Sequence, residues 1–186
     1  MRIAGSLFAS LLVCVFLSAL PAGAIDSAKA TKVITAIYED LMGREPDESG
    51  LRTYRSKMVD DGWTEEQVRA DLRDSDEYRD TLIGNAYRDL LMREADPSGL
   101  ETYRRMMTEK GWTEEQVRKA LRGTDEHRNA VIRNAYRDLL GRDPDPGGLD
   151  MYRAKMEREG WTEGDVRKSI RESDEYKQKH GRVKNP

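Results

Sequence analysis

Trp112-Thr113-Glu114-Glu115-Gln116-Val117 is a helix start written out in full. Thr113 is an N-cap, and Gln116 three residues later completes a capping box. Trp112 before the cap and Val117 beyond it form a hydrophobic staple that fixes the angle at which the chain enters the helix. The same phrase begins 49 residues earlier at Trp63, with Val68 in the stapling position, and 49 residues later at Trp161, with Val166. In the last copy Asp165 stands where the others have Gln67 and Gln116; its shorter side chain predicts a weaker cap. The interval recurs for Tyr38, Tyr87 and Tyr136, for Arg44, Arg93 and Arg142, and for Gly50, Gly99 and Gly148. A fixed period of this size marks a repeat architecture.

Within each period the apolar spacing is helical. Ile83, Tyr87 and Leu91 fall on one face of a long first helix, with Leu82, Ala86 and Leu90 beside them. This helix is preceded by Asp26, Ser75 or Thr124, and Ser173 precedes its last, partial copy; all are good N-caps. Acidic pairs follow at Asp76-Glu77, Asp125-Glu126 and Asp174-Glu175, facing the positive end of the helix dipole. A second helix carries Leu51, Tyr54 and Met58 and their counterparts, and ends at Gly62, Gly111 or Gly160 as C′ glycines. The third starts at the staple and holds the i, i+4 pairs Glu65–Arg69, Glu114–Arg118 and Glu163–Arg167. The expected fold is all-α, a tandem array of three 49-residue three-helix units at 27–75, 76–124 and 125–173, closed by a polar cap and tail at 174–186. A unit this small buries too little surface alone, so neighbours are expected to share a core, with an atypical terminal repeat.

The N-terminus reads as a targeting signal. Arg2 is followed by an apolar run from Ile3 to Leu20, Pro21 breaks it, and Ala22-Gly23-Ala24 has the small-residue pattern of a cleavage site after Ala24. The expected product is secreted or periplasmic, begins at Ile25, and has no stable membrane span once 1–24 is removed; the alternative, which the length of the apolar run leaves open, is an uncleaved anchor. Cys14, the only cysteine, would leave with the signal, and with it any disulfide, thiolate nucleophile or cysteine zinc site. The 32 Lys and Arg against 35 Asp and Glu give a net charge of −3, which argues against a nucleic-acid partner, since phosphates require a basic surface.

Tyr136-Arg-Asp-Leu-Leu-Gly-Arg-Asp-Pro-Asp-Pro-Gly-Gly-Leu149, followed by Tyr152, Gly160, Val166 and Ser173-Asp-Glu-Tyr176, resembles the bacterial domain-of-unknown-function family 4214. All three units carry the pattern. They depart from it in having one Tyr where that family has a Tyr-Trp pair, and in Met92 and Ala95 replacing the Gly43 and Pro46 of the first unit. The resemblance implies an exported helical module of the cell surface, similar also to the helical linker domain of phycobilisomes. It implies no catalytic residue.

The side chains that could carry chemistry have structural explanations beside the functional ones. Asp143-Pro144-Asp145-Pro146-Gly147-Gly148 looks like the opening of a calcium loop, but its twelfth position is Ala154, and Ser56 and Arg105 stand there in the other units, where a bidentate acid is needed. Asp47, Asp96 and Asp145 are instead expected to accept backbone N–H groups at the next helix start. Arg44, Arg93 and Arg142 could recognise an anionic ligand; recurrence in every copy favours structural ion pairs with Glu77, Glu126 and Glu175. If largely buried, each such pair is worth about 3–5 kcal/mol against loss of one partner. Trp63, Trp112 and Trp161 could line a sugar site, but their staples with Val68, Val117 and Val166 account for them, and core packing is expected. His127, which replaces Tyr78 and Tyr176, and His180 make no nucleophile–base motif with a serine or cysteine.

The expected function is therefore a non-enzymatic interaction or scaffolding module of the cell envelope or surface, without a cofactor, acting on an unknown protein or glycan of the envelope. The alternatives are a calcium-dependent surface protein and, further off, a carboxylate-based envelope hydrolase.

Overall fold

The computed structural model describes residues 25–181. The expected signal sequence, with its expected cleavage after Ala24, and the end of the tail from 182 lie outside the described residues. Those described form ten α-helices and no strand: α1 (Ser27–Met42), α2 (Glu48–Val59), α3 (Glu65–Arg73), α4 (Asp76–Leu91), α5 (Pro97–Lys110), α6 (Glu114–Arg122), α7 (Asp125–Leu140), α8 (Pro146–Arg158), α9 (Glu163–Glu172) and α10 (Asp174–His180). The class is all-α. None of these helices is long and apolar enough to cross a membrane.

Helix starts follow their caps. The side chains of Asp26, Ser75, Thr124 and Ser173 accept the backbone N–H of Lys29, Tyr78, His127 and Tyr176 at 2.8, 3.1, 3.1 and 3.2 Å. Each satisfies one of the donors that a first turn leaves without an intrahelical partner. The long first helices stop where the next residue turns left-handed: Gly43 (φ 66°), Gly141 (φ 67°) and, at the same place in the second segment, the non-glycine Met92 (φ 57°).

The chain divides into two compact units, one ending at Arg69 and the other starting at Ala70. In the first, α1 packs on α2. Ala30, Ile34, Ile37, Tyr38 and Met42 on α1 and Tyr54 and Met58 on α2 are buried. The second unit contains two helix triples. In one, α4 packs on α5 and α6, and Ile83, Ala86, Tyr87 and Leu91 form a core with Val117 and Leu121. In the other, α7 packs on α8 and α9, and Ile132, Ala135, Tyr136 and Leu140 meet Tyr152, Val166 and Ile170. Contacts of α7 with α4 and α6 join the triples, and α10 packs back on α7 and α9. The short polar end is thus anchored, with Tyr176 half-buried against the α7–α9 core.

The third-helix caps hold one difference from expectation. Thr162 and Asp165 make a complete capping box: Asp165 N–H donates to Thr162 Oγ1 at 3.3 Å and Thr162 N–H to Asp165 Oδ2 at 2.8 Å. The Thr162 hydroxyl also donates to that carboxylate at 2.7 Å. Aspartate reaches as far as Gln116 does and adds a charge-assisted bond, so its geometry is not that of a weaker cap.

Candidate functional site

One constellation recurs in every 49-residue interval, and the α4–α5 corner shows it best. Tyr87 lies near the end of α4 with its ring edge-on to Tyr103 of α5, centroids 6.1 Å apart. The Arg93 guanidinium stands over the Tyr87 ring, 5.1 Å from its centroid, a cation–π placement. Asp96 caps α5 by accepting Gly99 N–H at 2.9 Å and also takes Ser98 Oγ at 2.6 Å and Arg93 Nη1 at 3.1 Å. Arg93 grips Glu126 with both Nε and Nη2, the latter at 3.0 Å, and gives Nη1 to the Glu94 carbonyl at 2.9 Å. The planar fork of arginine is suited to this two-point hold on a carboxylate.

The helix starts under the tyrosines explain a glycine. A Cβ at Gly50 would sit 2.5 Å from the Tyr38 hydroxyl, and one at Gly148 2.7 Å from that of Tyr136. Gly99 faces Tyr87 in the same way. Only glycine lets the phenol lie on the first turn of the following helix. The other corners repeat the pattern: Tyr38 and Tyr54 at 6.2 Å with Arg44 over Tyr38 at 5.4 Å, and Tyr136 and Tyr152 at 6.0 Å with Arg142 over Tyr136 at 5.3 Å.

Arg142 holds Glu175 through Nε at 2.6 Å and Nη2 at 2.7 Å. Arg44 donates to the Glu45 carbonyl at 2.6 Å; it lies in the first unit and Glu77 in the second. Of the buried and half-buried forms open to these pairs, Arg93–Glu126 and Arg142–Glu175 take the half-buried one. The Arg93 and Glu126 side chains are 39% and 47% exposed, so solvent screens them and the cost assigned to a largely buried pair does not apply. The electrostatics still favour the charged forms. The Arg93 hydrogen bond holds Glu126 below the usual carboxylate range, and Arg142 does so for Glu175. Asp96 is held well below by Ser98, then by Gly99 N–H and Arg93. Burial pushes Tyr87 and Tyr136 upward.

A second ion pair, which the local sequence does not mark, has a more enclosed arginine on a more exposed acid. Arg118 on α6 bonds Asp89 on α4 at 2.9 Å and its own Glu114 at 2.7 Å, with its side chain 19% exposed. Arg167 reaches Asp138 at 2.8 Å, and Arg69 reaches Asp40 at 2.5 Å. Glu114, Glu163 and Glu65 had already supplied each arginine with a partner one turn away. Nothing local marked the aspartate 29 residues upstream as the other.

The staple valines Val68, Val117 and Val166 are buried, but Trp63, Trp112 and Trp161 are half-buried rather than fully in the core. Trp112 and Trp161 pack on the edges of their clusters. Lys57 Nζ stands 4.1 Å from the Trp63 ring centroid and Lys155 Nζ 4.0 Å from that of Trp161; Met106 has that position in the middle segment. The acidic loops behave as caps: Asp47 and Asp145 accept Gly50 and Gly148 N–H at 2.6 and 2.8 Å, and Asp143 pairs with Arg137 at 2.6 Å. No group of three His, Cys, Asp or Glu side chains placed to hold a metal ion occurs among the described residues. His127 Nδ1 lies 2.9 Å from the Leu90 carbonyl and donates to it, a tie from α7 to the end of α4 that the replaced tyrosine could not make through its ring.

Residues 119–180 match the family model described as Domain of unknown function (DUF4214). No curated protein and no solved structure matches. The matched stretch contains α7, α8, α9 and α10 in full. It therefore includes Glu175 and Tyr176, which complete the Arg142 grip and the α7–α9 core.

Proposed function

We propose that the chain is an exported, non-enzymatic scaffolding or interaction module of the cell envelope or surface, built from three tandem copies of the family domain matched at 119–180. The carrying observation is the repeated use of the same polar side chains for the same internal task. Arg93 and Arg142 each clamp the acid 33 residues on, and Arg69, Arg118 and Arg167 each hold an aspartate on a first helix. Side chains so engaged hold helices in place, and they leave the changing outer positions of the array to meet a partner. The partner class is a protein or glycan of the envelope. The N-terminal run to Leu20 and the Ala22-Gly23-Ala24 site support export with cleavage after Ala24. Similarity to phycobilisome linker domains is part of the same scaffolding proposal.

Co-sedimentation of the purified chain, starting at Ile25, with isolated envelopes tests this. Saturable retention that survives a calcium chelator, with no soluble fragment released from the envelope polymers, is the expected result. Release by chelator transfers the case to the calcium-dependent reading, and soluble saccharide or peptide fragments transfer it to a hydrolase. No retention at any loading removes the envelope partner.

A further inference from the structure

We propose that Met92 and Met151 are oxidant-accepting sites, thioethers that a hydroperoxide converts to sulfoxide without loss of the fold. Sulfur occurs among the described residues only as methionine. Met58, Met107 and Met156 recur at one place in the period and belong to the packing of the second helices, with Met58 3% exposed. Met92 and Met151 do not recur: the matching positions hold Gly43 and Gly141 for the first, Thr53 and Thr102 for the second. They are also the exposed large hydrophobic residues of the described chain, at 58% and 46%.

Met92 carries a second mark. It occupies the left-handed end of α4 at φ 57°, where its counterparts are glycine and where a side chain is disfavoured. The chain tolerates that conformation, and the side chain so placed enters water instead of the core. Its thioether is therefore open to reagents. In the reaction the sulfur lone pair attacks the outer oxygen of the peroxide and the O–O bond breaks. The departing oxygen takes up the proton, leaving sulfoxide and water or an alcohol. Sulfur is oxidised by two electrons and the peroxide is reduced by two. The new S=O group is polar, which would disrupt a core but is hydrated at 92 and 151.

Limiting hydrogen peroxide, followed by peptide mass spectrometry, reads the order of oxidation. Met92 and Met151 should oxidise at least about tenfold faster than Met58 and Met156 in the folded chain, and all should react alike in guanidinium. The helical melt should be unmoved when Met92 is fully oxidised. The paired variant Met92→Gly and Met151→Thr, which installs residues already used at those positions, should lose the fast phase and keep its fold. Equal rates at Met58 and Met92 in the folded chain, or a melt that falls in step with Met92 oxidation, overturns the proposal.

Discussion

The triples α4–α6 and α7–α9 share a plan and differ in how its edges are finished. Both set a tyrosine of the first helix over a glycine of the second, clamp an arginine to a glutamate 33 residues on, and tie the third helix to the first through an aspartate. At the edges each has its own contacts. Asp80 makes a two-point bond to Arg104 in one, where the other has Asn129 and Arg153. Lys155 covers Trp161 where Met106 stands near Trp112. The Tyr152 hydroxyl donates to Ser169 Oγ at 3.1 Å where the other triple has Ala120. Positions that close the core are held in common, while positions that exchange one local contact for another differ. The larger contrast is at the C-terminal side: among the described residues α4–α6 is followed by a long helix, α7, and α7–α9 by the seven-residue helix α10.

The largest expected effect follows from that contrast. Ending the chain after Ser173 removes Tyr176 from the α7–α9 core, Glu175 from Arg142, and the Lys179 bond to the Leu140 carbonyl. Partial burial of one aromatic plus a screened bidentate pair suggests a loss of about 3 kcal/mol. Urea unfolding followed by tryptophan fluorescence in single-tryptophan backgrounds should show Trp161 melting earlier and Trp112 little changed. If both shift equally, α10 supports the whole unit and is no local cap.

The arginine clamp should matter less than a buried one would. Arg93→Ala is expected to cost about 1–2 kcal/mol, from a half-exposed bidentate pair plus a cation–π contact. The effect should depend on pH. Glu126 has a folded pKa below its unfolded value, so its contribution is complete above about pH 5 and fades as pH falls through the folded value. Thermal melts of wild type and Arg93→Ala should therefore draw closer in acid, by the share that Glu126 contributes, while the Arg93–Asp96 bond persists. A constant gap down to about pH 2 would mean that Arg93 acts through Asp96, which stays ionised in such acid, or through packing on Tyr87, rather than through Glu126.

How much of this was legible in the sequence depended on whether a local rule existed. Caps, staples and C′ glycines follow from residues within one turn of each other, so their positions could be read directly. The Arg-to-Glu partnership was accessible because the period says which two segments must meet to close a unit. Its exposure was not, since period and composition do not show how solvent reaches a corner. Gly50, Gly99 and Gly148 were visible as recurrent, but their cause is a phenol from another helix lying on a helix start. The Arg118–Asp89 tie was hidden by abundance. In a chain where acids are everywhere, an arginine with a partner at i−4 gives no reason to look further.

Asp80 and Asn129 allow a direct exchange between the triples. Arg104 bonds Asp80 at 2.7 Å through Nε and at 2.5 Å through Nη2, with both side chains about one-third exposed. In α7–α9, Arg153 turns to Asp150 on its own helix, and the Asn129 Oδ1 is buried without a hydrogen-bond partner. Asp80→Asn should cost about 1 kcal/mol, as a partly exposed pair does, and Asn129→Asp should gain up to about that amount if Arg153 moves across. Chemical denaturation of both variants measures the exchange. A loss of more than about 1 kcal/mol in Asn129→Asp would show that Arg153 cannot reach, because an unpaired charge would then be buried.

The smallest effect separates the two first-helix ends. Met92 and Gly141 both turn left-handed, at φ 57° and 67°. A side chain there costs about 1–2 kcal/mol, while glycine costs part of that back through the freedom it has when unfolded. Met92→Gly should thus stabilise by about 0.5–1 kcal/mol, visible as a small rise in melting temperature. The reverse change should cost more than backbone strain alone. A Cβ at Gly141 would lie 2.7 Å from Lys179 Nζ, and the lysine would have to leave the Leu140 carbonyl to make room. Gly141→Ala in the full chain and in the chain ending at Ser173 distinguishes the two contributions. Strain remains when α10 is gone, whereas the lysine's share disappears with it. A penalty identical in both backgrounds would assign the whole cost to the backbone, and Lys179 would then be a contact without consequence.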